Sequence, residues 1–98
     1  MVNLTERLAA LSAEIADERT QLRILDEQLA FQAEVADDAR IRALVSETPL
    51  ADRESRVAAD DLQRLERSRA AAMSRIADLR AEQDTLLERM LAESPEGR

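Results

Sequence analysis

The stretch Ser46-Glu47-Thr48-Pro49-Leu50-Ala51-Asp52-Arg53-Glu54 constrains this chain more than any other, because it is the only interruption between two helical patterns of nearly equal length. Proline donates no backbone N–H and steers the preceding residue away from helical geometry. Thr48 is therefore expected to leave one helix and Pro49 to restart another, with Thr48 as its cap and Asp52 near its positive end. The spacing predicts helix over 4–46, a turn at 47–49, helix over 50–93 and a frayed tail at 94–98, where Ser94-Pro95-Glu96-Gly97 breaks the pattern.

Composition limits the alternatives. One aromatic residue, one glycine and two prolines in 98 residues argue against sheet and against a conventional globular core, while 36% charged and 45% hydrophobic residues suit a long amphipathic helix. All 14 basic residues are arginines, interleaved with 21 acids, and the net charge is −7. Such a surface repels phosphate backbones, so no direct nucleic-acid binding is expected. With no Cys and no His there are no disulfides and no thiolate or imidazole ligands or nucleophiles; neither metal nor cofactor is expected. No apolar run approaches the ~20 residues of a membrane span. The first residues lack the basic and apolar segments of a signal peptide. These features lead to the expectation of a cytoplasmic protein.

Asn3 and Glu6 have capping-box spacing and place the first helix start near Leu4. From there Leu4, Leu8, Leu11, Ile15, Leu22, Leu25 and Leu29 recur at alternating steps of four and three, with Glu18 in one slot, which is a coiled-coil seam. Beyond Leu29 the same slots hold Gln32, Ala36, Ala39 and Ala43, and large apolar residues move round to Phe31, Val35, Ile41, Leu44 and Val45. The second half mirrors this with Ser55, Ala58, Leu62, Leu65, Ala72, Ile76, Leu79, Leu86 and Met90, and with Arg69 and Gln83 as polar members. Folding back around Thr48–Pro49 pairs Leu11 with Leu86, Leu22 with Ile76, Leu25 with Ala72 and Ala36 with Leu62. The expected fold is all-α: a long antiparallel two-helix coiled-coil hairpin with arms of ~60 Å at 1.5 Å per residue. A single kinked helix in a dimer is the rival arrangement.

A lone two-helix hairpin is marginal once about 1.5 kcal/mol of ordering entropy per residue is set against burial of its seam. Ile24, Phe31, Val35 and Met73 lie off the seam and suit a second chain, giving a homodimer with a four-helix bundle or a larger partner in that role. Glu18, Gln32, Arg69 and Gln83 take slots where leucine is more stable. Either they set register and partner, or long side chains simply reach water from a narrow seam. Asp37 and Asp38 come level with Asp60 and Asp61, an arrangement suited to a hard cation or to a face compensated by Arg40, Arg42 and Arg64.

At the tip, Glu47, Pro49, Leu50, Asp52 and Glu54 form a candidate partner surface. The run Thr48-Pro49-Leu50-Ala51-Asp52-Arg53-Glu54, followed by Leu62, Arg64, Leu65, Arg67, Arg69 and Ile76, resembles the tip and returning helix of the DksA- and Gre-type factors, without a Cys-built zinc finger. Those proteins insert an acidic-tipped coiled-coil hairpin into the secondary channel of RNA polymerase. The resemblance implies that Asp52, with Glu47 or Glu54, stands where their tip acids act. A rod of Ala and Leu offers no concave catalytic site. The leading expectation is therefore a non-enzymatic coiled-coil interaction or adaptor module, and the alternative is a regulator of RNA polymerase acting through its tip.

Overall fold

The computed structural model describes residues 3–93, so the tail expected at 94–98 lies outside the described residues. Two antiparallel helices make up the fold, α1 (Leu4–Ser46) and α2 (Pro49–Glu93). Asn3 starts α1: its Oδ1 accepts from the Glu6 amide at 2.8 Å and its carbonyl accepts from the Arg7 amide at 3.0 Å. Two donors that have no partner inside the helix are thereby satisfied.

The connection is only Glu47 and Thr48. Pro49 is the first residue of α2 itself, not the last of a three-residue turn, because proline's fixed φ suits the first helical position and its missing N–H costs nothing there. Thr48 Oγ1 accepts from the Ala51 amide at 3.1 Å and the Thr48 carbonyl from the Asp52 amide at 3.0 Å. On the other side, the Glu47 amide still donates to the Ala43 carbonyl at 3.2 Å, and Glu47 takes φ = 50°. That is the left-handed conformation in which helices commonly end, normally on glycine.

In α1 every seam slot from Leu4 to Ala43 is buried or half-buried, and in α2 every slot from Ala51 to Met90 is as well. The chain divides into two compact units. One joins the segment up to Gln21 with the segment from Ala72 onward; its buried residues are Leu11, Ile15, Ala72, Ile76 and Leu86. The other is Leu22–Ala71, and among its described residues only alanines are fully buried: Ala39, Ala51 and Ala58. Its seam leucines Leu22, Leu25, Leu29, Leu62 and Leu65 are half-buried, and its off-seam apolar side chains lie outside, with Phe31 69%, Leu44 67%, Val45 79% and Leu50 63% exposed.

The short turn corrects the expected register. In the first unit Ser12 bonds Gln83 and Glu18 bonds Arg75, and in the second Asp26 bonds Arg69. Each partner lies earlier in α2 than the pairing of Leu11 with Leu86 requires, by two to four residues. Ending α1 at Ser46 and starting α2 at Pro49 removes a residue from the expected turn. A heptad ladder accommodates a slip of three or four residues because seam slots still meet seam slots.

Two substitutions test the turn. Thr48→Ala is expected to destabilise the hairpin by about 1 kcal/mol through loss of the cap. Glu47→Gly is expected to stabilise it by roughly 0.5–1 kcal/mol by relieving the left-handed backbone. Urea unfolding followed by circular dichroism measures both, and equal midpoints for wild type and Glu47→Gly would show that position to be unstrained.

Candidate functional site

The four polar seam residues each bond across the hairpin. In the first unit Arg75 Nε donates to Glu18 Oε1 at 3.0 Å, and Gln83 Nε2 donates to Ser12 Oγ at 3.3 Å. In the second, Arg69 Nε donates to Asp26 Oδ1 at 2.6 Å, and Gln32 Nε2 donates to the Ala58 carbonyl at 3.0 Å. The residues that interrupt the apolar ladder thus reach partners on the opposite helix. Glu18 stands apart because its second carboxylate oxygen is buried with no hydrogen-bond partner. Leaving such an atom dry costs free energy.

Outside the seam, Arg7 spans to Glu82 through both Nε (3.0 Å) and Nη2 (2.8 Å), with Glu14 at 3.9 Å. The hydrogen bond Arg7 donates to Glu82 raises the Arg7 pKa above its ordinary value. Being solvent-exposed, the pair contributes little to stability.

The aspartates expected to come level do not form a cation site. Arg64 bonds Asp61 within α2, as expected from their spacing. Asp37, Asp38 and Asp60 are exposed, and among the described residues no three carboxylates converge in a way that suits a metal ion. Nor, among the described residues, is any helix long and apolar enough to cross a membrane.

At the tip Glu47, Pro49, Leu50, Asp52 and Glu54 are all exposed. The tip is more apolar than its acids suggested, because Leu44 and Val45 in the last turn of α1 are exposed with Leu50 in the first turn of α2. The signal was in the sequence, because these residues fall outside the four-three ladder.

Of the side chains expected to face a second chain, Ile24 and Phe31 are 43% and 69% exposed and Val35 is half-buried, all in Leu22–Ala71. Met73 is 46% exposed but belongs to the other unit. Sequence reasoning missed Val57, which is 53% exposed. In Leu22–Ala71 the two helices enclose a shallow groove of about 390 Å³, lined by Val35, Ala39, Val57 and Ala58 with Arg42, Arg53, Glu54 and Asp61 on its walls. The alanines make the groove: a small residue at a seam slot leaves unfilled space that the flanking valines border but do not cover. Beside it, Phe31 edges a second hollow with Glu27, Gln28 and Leu65. Heptad position puts Phe31, Val45, Leu50 and Val57 on the side where this groove opens.

A role for the polar seam residues in fixing register is testable. Spin labels at the exposed positions Ala9 and Glu88 are expected to give one narrow distance distribution in the native chain. Glu18→Leu with Gln83→Leu is expected to raise the thermal midpoint, since apolar replacement of buried polar groups is often neutral or stabilising. The same variant should broaden or split the distance distribution. An unchanged single peak would mean that turn and leucine ladder alone hold the register.

The chain matches no protein-family model, no curated protein and no solved structure, so what can be said of its function rests on this geometry.

Proposed function

We propose that this chain is a non-enzymatic coiled-coil module whose role is to bind protein. The observation that carries this reading is the inverted distribution of side chains in Leu22–Ala71, with alanines inside and Phe31, Leu44, Val45, Leu50 and Val57 outside. Exposed large apolar residues in this number on a charged helical hairpin mark a contact site. The grooves are shallow and bordered by arginines and acids, which suits packing against another helix better than enclosing a small substrate.

A second reading is favoured by the tip. Glu47 holds a left-handed conformation where glycine is the relaxed choice, and Glu47, Asp52 and Glu54 project into solvent. Strained backbone persists more often at working surfaces than elsewhere. In this reading the acidic tip enters the secondary channel of RNA polymerase and regulates transcription.

Affinity purification from the source cell separates the two. Under the first reading Phe31→Ala with Val57→Ala loses the partner, while Asp52→Asn retains it. Under the second, polymerase subunits co-purify and Asp52→Asn loses them, with helicity unchanged by circular dichroism. Recovery of the same proteins by all three forms would count against both surfaces.

A further inference from the structure

We infer that the groove in Leu22–Ala71 is a self-recognition surface: a second copy of this chain docks on it through the same face, giving a twofold-symmetric pair of hairpins. This rests on the reading of the chain as a protein-binding module and names the surface and its occupant.

Charge selects the occupant. A chain of net charge −7 meets itself at a cost unless the contacting faces are locally neutral. The walls of this groove carry Arg42 and Arg53 against Glu54 and Asp61, two charges of each sign. In a twofold contact the same patch faces itself, so a balanced set lets arginines of one copy meet acids of the other.

The grooves in the other unit lack this balance. One is lined by Glu14, Asp17, Glu18 and Asp78 with Arg75 as its one base. Another carries Arg19 and Arg80 and no acid. Either would repel its own copy in a symmetric contact.

Area points the same way. Ile24, Phe31, Val45, Leu50 and Val57, at 43–79% exposure, present roughly 600 Å² of apolar residue surface. A stable interface buries about 800 Å² per partner, and in homodimers about 65% of that is apolar. The side on which the groove opens therefore carries about the apolar area that such a pair needs, and its seam alanines let a partner's side chains approach closely.

Sedimentation equilibrium of the full chain tests the proposal with two charge-reversal variants. Arg42→Glu with Arg53→Glu makes the groove wholly acidic, and Glu54→Arg with Asp61→Arg makes it wholly basic. The wild type is expected to dimerise. Each variant alone should show a dimer dissociation constant raised at least ~100-fold, given the coupling energies of close interfacial charges. An equimolar mixture of the two should restore a one-to-one dimer. Circular dichroism confirms that each variant is helical, and because the variants carry opposite signs, misfolding of one leaves the other to decide.

A wild type that stays monomeric up to about 1 mM, an acidic variant that dimerises like wild type, or a mixture that fails to associate would each overturn the proposal. Monomeric wild type that still captures a different protein through Phe31 and Val57 would refute self-docking and leave the binding-module reading standing.

Discussion

A link of two residues between helices of 43 and 45 residues leaves no slack, and the rest of the fold follows from how that link is held. Thr48 caps α2 with its hydroxyl, Pro49 supplies the first helical dihedral, and Glu47 turns the chain out of α1 in a left-handed conformation. None of these is a large energy. Together they decide which slot of α1 meets which slot of α2, and an apolar ladder with a seven-residue repeat cannot decide that for itself. The cross-helix bonds of Gln32, Arg69, Glu18 and Gln83 are all compatible with the level set at the turn.

The seam is laid out differently in the two units. Leu11, Ile15, Ile76 and Leu86 give the unit containing the chain's ends a conventional aliphatic interior. Leu22–Ala71 has the same four-three ladder filled with small residues near the turn, and its off-ladder hydrophobes, Phe31, Leu44, Val45, Leu50 and Val57, stand in solvent. Burial of one large aliphatic side chain is worth about 1.5–3 kcal/mol, whereas an alanine contributes little. The unit with the weaker interior therefore also holds most of the unburied apolar surface. This coincidence supports association as its purpose.

Much of this architecture was legible in the sequence because it depends on local chemistry. Asn3, Thr48 and Pro49 act on their own neighbours, and the four-three spacing of Leu4 to Ala43 survives the change from leucine to alanine. The register was not legible to within a turn. A slip of three or four residues again sets seam slot against seam slot, so the ladder alone cannot choose between the two alignments. Val57 was missed because it falls outside the four-three ladder; its signal was the seven-residue step from Leu50, beside the seam. The groove was missed because it is made by what Ala39 and Ala58 lack.

An alanine interior also reverses the usual direction of mutational sensitivity. Around the buried Leu11 or Ile76, truncation opens a cavity. At Ala39, Ala51 and Ala58 there is almost nothing to truncate, and enlargement at Ala39 or Ala58 fills the groove that their small side chains leave open. Sequence drift in Leu22–Ala71 is thus confined to one choice of size at these slots, while the exposed flanks can vary with whatever they touch. Specificity of contact can change there without disturbing the rod that presents it.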